Sequence, residues 1–181
     1  EFTISEPDEL SASLSVIDVS CNGGSDGSVE LIVSGGTAPY ITEDLSSLSA
    51  GSYSTEIFDA NGCEISVEFT ISEPELLTAS IEITDANCNG GFGSAALIVS
   101  GGTAPYTTED LSSLEAGTYS TTVIDANGCE TSLEFIVSEP EPLTASLLIA
   151  DVTCNGLNDG SAELIVSGGT APYTTEDLSS L

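Results

Sequence analysis

One octapeptide that returns at a fixed period constrains this chain more than any other feature. Val33-Ser34-Gly35-Gly36-Thr37-Ala38-Pro39-Tyr40 recurs at 99–106 and again at 166–173, every 66–67 residues. Self-similarity at a constant period marks a tandem array of one small unit, in which each copy meets its neighbours, and not a single large core. Aligning the copies gives units at 10–73, 74–140 and 141–181, the last cut short. Residues 1–9 match the end of a unit, because Glu1-Phe2-Thr3-Ile4-Ser5-Glu6-Pro7 corresponds to Glu68-Phe69-Thr70-Ile71-Ser72-Glu73-Pro74. There is no initiator Met and no signal peptide, and the chain opens and closes inside a repeat. The expectation is a segment of a longer protein.

Within each copy the apolar period is two, the period of a strand with one buried face. Ile65, Val67, Phe69 and Ile71 alternate with Glu64, Ser66, Glu68 and Thr70, and Leu133, Phe135 and Val137 repeat the pattern. Leu10, Ala12, Leu14 and Val16 do the same at the start of one copy, as Leu77, Ala79, Ile81 and Ile83 do in the next. Val29, Leu31 and Val33 form a further strand that ends on Gly35-Gly36, and Tyr53, Thr55 and Ile57 form another. Asn61-Gly62 is a hairpin turn signal. No stretch has helical spacing. The chain is therefore predicted to be all-β, as tandem immunoglobulin-like β-sandwich repeats. Leu48-Ser49-Ala50-Gly51-Ser52-Tyr53, repeated at 114–119, fits the tyrosine corner of such sandwiches; a Tyr that merely fills the core is the alternative. Ser72-Glu73-Pro74 and Ser138-Glu139-Pro140 mark the joints. Proline lacks an amide donor and keeps its predecessor extended, so stiff joints and an elongated rod are expected.

The charge excludes several functions. Thirty Asp and Glu face no Lys, Arg or His, a formal net charge of −30 over 181 residues. A chain of this length ordinarily holds roughly 20 Lys plus Arg. Nucleic-acid binding and docking to anionic lipid both need a basic footprint, so neither is expected. Side-chain salt bridges cannot form. The 40% apolar content nevertheless argues for folding over disorder. No apolar run approaches the length of a membrane span. Without His or Lys there is no triad, proton shuttle or Schiff base, and candidate carboxylate pairs recur identically in each copy, so no enzyme is expected.

Two cysteines occur per complete copy: Cys21 and Cys63, then Cys88 and Cys129, with Cys154 opening a third pair. Two per small β unit and no His nearby predict one disulfide inside each unit, Cys21 with Cys63 and Cys88 with Cys129. A loop of ~42 residues would contribute roughly 4 kcal/mol in the chain-entropy picture. A buried free thiol is the alternative, and the CxxC-type spacing of a zinc site is absent. Calcium is the candidate ligand. Asp59 and Asn61, and Asp125 and Asn127, place oxygen donors two apart on a turn, Asp26 and Asp159 lie in Gly-rich loops, and Glu6, Glu73 and Glu139 stand at the joints. The competing reading is ordinary Asx-turn hydrogen bonding.

Cys21-Asn22-Gly23-Gly24, the Gly-Gly-Thr-Ala-Pro-Tyr block, Leu48-Ser49-Ala50-Gly51-Ser52-Tyr53 and Asp59-Ala60-Asn61-Gly62-Cys63 together resemble the SprB-type repeat of large surface adhesins of gliding Bacteroidota. The resemblance covers nearly the whole chain. It implies an outer-surface protein exported by type IX secretion. In the best-known members it implies a filament that is carried along the cell and grips the substratum. One departure stands out: the family usually continues Pro-Tyr into a Trp-bearing aromatic hairpin, whereas Tyr40 runs through Ile41-Thr42 directly into Glu43-Asp44-Leu45. The expected function is a non-enzymatic stalk of a secreted, cell-surface adhesin. Its expected partners are neighbouring repeats, and any adhesive target would be met by regions outside this segment. The alternatives are a carbohydrate-binding accessory module of a secreted hydrolase, or a subunit that polymerises head to tail.

Overall fold

A computed structural model of the chain describes residues 2–175. Strands form where the period-two pattern is cleanest. The first copy contains β1 (Ser11–Ile17), β2 (Ser28–Ser34), β3 (Gly51–Phe58) and β4 (Glu64–Ile71). The second contains β5 (Thr78–Thr84), β6 (Ser94–Ser100), β7 (Gly117–Ile124) and β8 (Glu130–Val137), and the third β9 (Thr144–Ala150) and β10 (Ser161–Ser167). They make five two-stranded sheets, β1–β2, β3–β4, β5–β6, β7–β8 and β9–β10. β1 and β2 are antiparallel with Leu14 opposite Leu31, and β3 and β4 with Tyr53 opposite Phe69 and Ile57 opposite Ile65. The fold is all-β, with no barrel closure among the described residues, and fits β-sandwich repeats.

Each core lies between two such pairs. In the first copy Leu14 and Val29 from β1 and β2 pack with Val19, Leu45 and Leu48 against Tyr53, Phe69 and Ile71 from β3 and β4. In the second, Ile81, Ala95 and Leu97 face Leu111, Leu114, Tyr119, Phe135 and Val137. Ile57, Ile71, Val123 and Val137 are fully buried. Burying a side chain of this kind contributes roughly 1.5–3 kcal/mol. Val16 and Ile83, read as the last inward positions of their strands, are more exposed than Leu14 and Ile81. Tyr53 and Tyr119 stack on Phe69 and Phe135. Their hydroxyls donate to the Ser49 and Glu115 carbonyls four residues upstream, at 3.0 and 2.9 Å, as a tyrosine corner requires.

In the first two copies the segment after Pro-Tyr is a short strap without a hairpin. Ile41 bridges Phe58, and Leu48 bridges Gly27, so the strap touches β3 and then the loop before β2. Thr107 with Ile124, and Gly93 with Leu114, repeat this in the second copy.

Chain contacts divide the protein into two compact units. One holds the residues up to Thr78 together with Val99–Thr107 and Val123–Thr131. The other holds Ala79–Ile98, Thr108–Thr122 and the chain from Ser132 onward. Two loops of the second repeat thus belong to the unit built on the first repeat. Among the described residues no helix is long and apolar enough to cross a membrane.

Candidate functional site: a stapled junction between repeats

Three motifs that are far apart in sequence meet in the first unit. The Cys21 loop follows β1 and is folded back on itself by Asp26, whose carboxylate accepts from the Ser20 amide at 3.0 Å and from the Ser20 hydroxyl. These bonds, the hydroxyl first and the amide second, hold the Asp26 carboxyl below its ordinary value. The loop is tied to the joint at its flank. Asn22 Nδ2 donates to the Pro74 carbonyl at 3.1 Å, the Gly23 amide donates to Glu73 at 2.6 Å, and the Ser72 amide donates to Asp18 at 2.8 Å. The Ser-Glu-Pro sequence is therefore a fastener for the cysteine loop.

The second motif is a carboxylate hub. Asp59 is buried at the end of β3, where Oδ1 accepts from the amides of Asn61 (2.9 Å) and Cys63 (2.8 Å) and Oδ2 from the amide of Thr37 (3.0 Å). Asp125 repeats the arrangement with Asn127, Cys129 and Thr103 at 2.9, 2.9 and 2.8 Å. Burial pushes both carboxyls up, but the backbone donors outweigh it and hold them below the ordinary value. One side chain thus joins the Asn-Gly-Cys turn to the Thr that follows Gly-Gly, which explains why the two motifs occur together in every complete copy.

The third motif is the Gly-Gly pair. Gly101 has φ near +72°, and a Cβ there would lie 2.0 Å from the Leu76 carbonyl oxygen, so only glycine lets the incoming joint pass. The Gly102 amide donates to the Glu75 carbonyl at 2.8 Å, and Tyr106 Oη closes the turn onto the Gly101 carbonyl at 2.8 Å.

These parts set the cysteine pairing, and they correct the sequence expectation. The bridge is Cys21–Cys129, spanning 108 residues with Cα atoms 5.7 Å apart. It is neither Cys21–Cys63 nor Cys88–Cys129, and Cys63, Cys88 and Cys154 are free and exposed. The reason is the length of β4. Cys21 lies at the Ser72 end of that strand, where the Val19 amide donates to the Ser72 carbonyl, whereas Cys63 precedes its first residue. Eight residues at about 3.3 Å each put some 26 Å between those ends, and a disulfide tolerates at most about 7 Å between Cα atoms. Two cysteines at opposite ends of one repeat cannot bond each other, and Cys21 bonds the turn cysteine of the next repeat. Asn127 Nδ2 seals the contact by donating to the Ser20 carbonyl at 2.9 Å.

The calcium candidates fall in separate places. Asp59 with Asn61 and Asp125 with Asn127 serve two different hubs, and their carboxylates already accept backbone donors. Asp26 is engaged by Ser20, and Asp159 by the amide and hydroxyl of Thr153. Among the described residues no three His, Cys, Asp or Glu cluster to hold a metal ion. Spacing revealed the Asp, Asn and Cys of the junction; it gave no sign of the Ser20 carbonyl or of the Thr37 and Thr103 amides, which are backbone groups with no side-chain signature.

The SprB repeat profile matches the chain three times, at residues 13–41, 80–107 and 148–174. The chain carries three SprB repeats. No curated protein and no solved structure matches it. The SprB matches cover the Cys loop, the second strand and the Gly-Gly-Thr-Ala-Pro-Tyr block of each copy. The SprB repeat is structural and not catalytic, and it typically occurs in secreted cell-surface proteins.

Proposed function

We propose that this SprB array is a load-bearing stalk segment of a large adhesin on the outer surface of the cell, passive in itself and carrying an adhesive region that lies elsewhere in the parent protein. The observation that carries this reading is the Cys21–Cys129 bridge between consecutive SprB repeats. A cross-link that ties one repeat to the next lets tension pass through covalent bonds and not only through packing. Disulfides persist in oxidising, extracytoplasmic surroundings, which supports an external location; export by type IX secretion is what the SprB resemblance adds to this reading. Uncompensated carboxylates keep such arrays soluble and apart. Calcium at the Asp59 and Asp125 turns is not required by this reading, because both carboxylates already accept three backbone amides.

Antibody raised against the chain tests the location: label on intact, unpermeabilised source cells is expected, and label only after permeabilisation would overturn it. Titration against polysaccharides tests passivity. No saturable binding is expected of the isolated chain, whose aromatic side chains include no Trp; saturable binding would favour the accessory carbohydrate-binding module.

A further inference from the structure

Three thiols remain open, and one of them stands in a site that is already assembled. We propose that Cys21–Cys129 is one rung of a running series, in which the first cysteine of each repeat bonds the turn cysteine of the next. Cys88 is then the docking thiol for an Asn-Gly-Cys hairpin that completes the third repeat. This goes beyond the stalk reading and does not depend on where the protein resides.

The Cys88 loop lacks a counterpart of Asp26 but keeps the turn and the joint bonds of the Cys21 loop. The Gly91 amide donates to the Cys88 carbonyl at 2.9 Å, as Gly24 does to Cys21. Asn89 Nδ2 reaches the Pro140 carbonyl at 3.3 Å, the Gly90 amide donates to Glu139, and the Ser138 amide donates to Asp85 at 2.8 Å. The third repeat also already touches this loop. Thr170 Oγ1 donates to the Asn87 carbonyl at 3.3 Å. Asn87 occupies the position of Ser20, and Thr170 that of Thr103, the residue whose hydroxyl holds Asn127 beside the closed bridge. Half of the junction is therefore in place without its cysteine.

A separate observation says what is missing. Leu10 and Leu77 are buried, at 8% and 7% exposure, while Leu143 at the same position of the third repeat is 63% exposed. Leu143, Leu147, Leu164, Val166, Pro172 and Tyr173 line an open apolar groove on β9–β10. In the first two repeats the matching face is covered by β3–β4 and by β7–β8. A hairpin of the β7–β8 kind seated there would carry its turn cysteine toward Cys88, as β7–β8 carries Cys129 to Cys21. Closing the bond removes one proton and one electron from each thiol. The electron pair passes to a disulfide oxidant, oxidised glutathione or a disulfide oxidoreductase, which leaves as two thiols.

The test extends the full chain after Leu181 with a second copy of residues 115–140, which continues the repeat in register because Leu181 matches Leu114. In the added copy only, the exposed Ala126 is replaced (Ala126→Ser) as a mass tag. After oxidation in a glutathione buffer and cleavage at Glu, each of the original cysteines lies on its own peptide, and the tag distinguishes the added one. The expected result is the Cys88 peptide joined to the tagged peptide, with the Cys21 peptide still joined to the untagged one. A tagged peptide joined to Cys154, a tagged peptide left free, or loss of the Cys21–Cys129 link would each overturn the series. In a second variant the added cysteine is replaced by Ser; Cys88 should then remain open to alkylation in the folded protein, and protection of Cys88 there would count equally against the proposal. A failed digest leaves the surface-labelling result intact, so the two readings are separable.

Discussion

At the scale of the residue, the least comfortable groups are two hydroxyls. Thr55 and Thr121 are buried on β3 and β7, and their Oγ1 atoms have no hydrogen-bond partner. An unmet buried hydroxyl costs about 1–3 kcal/mol, so Thr55→Val, which keeps the shape and removes the polar atom, should raise stability by ~1 kcal/mol in urea unfolding. Asp59 and Asp125 are the opposite case, polar groups with every nearby donor in use. Their carboxyls titrate below the ordinary 3.8, so their contribution is complete above that value and is lost as pH falls through the lower folded value. Asp125→Asn should lower stability at neutral pH, because its amide would face the Thr103 N–H donor to donor. Melting followed from pH 6 down to about 2 should show the variant with less acid dependence than the parent; parallel curves would refute the hub.

At the scale of the element, the strands follow from side-chain alternation, while the loops are fixed by close approach. The Gly101 position demands both a left-handed backbone and the absence of a Cβ, whereas Gly128 has φ near +85° and open space around it. Gly128→Ala should therefore cost only the conformational penalty, about 1 kcal/mol. Gly101→Ala adds a collision with the Leu76 carbonyl and should cost clearly more, with the joint displaced and the Tyr106 clamp loosened. Chemical denaturation of the pair distinguishes them, and equal losses would show that contact with the joint is unimportant.

At the scale of the whole molecule, charge and covalent closure dominate. With −30 and no cation to offset it, self-repulsion acts between exposed carboxylates and is screened within about 10 Å at 0.1 M salt. Adding sodium chloride should raise the melting temperature. EDTA should leave it unchanged, because the Asp hubs are satisfied by amides; a fall on chelation would restore calcium to the junction. The bridge also sets what a pulling force can extend. In oxidised protein held by its termini, the 108-residue loop cannot unravel, which withholds roughly 370 Å of contour length. Reduction or Cys129→Ser should release that length in single-molecule force spectroscopy, and should lower stability by about 3–5 kcal/mol. An unchanged contour length would mean the bridge does not span the two repeats.

The order of strands, most of their inward positions, the tyrosine corner and the repeat itself were legible in the sequence, because each depends on short-range spacing that alternation and turn chemistry impose; Val16 and Ile83 are the exceptions, exposed despite their place in the alternation. Leu14, Phe69 and Tyr53 could be assigned to the core from their period alone. The sequence also named every cysteine but suggested the wrong partners, since spacing along a repeat carries no record of which end of a strand a residue occupies. Tertiary structure decided that point: β4 holds Cys21 and Cys63 a full strand length apart, and the joint at Ser72-Glu73-Pro74 brings the next repeat's Asn-Gly-Cys turn within bonding distance.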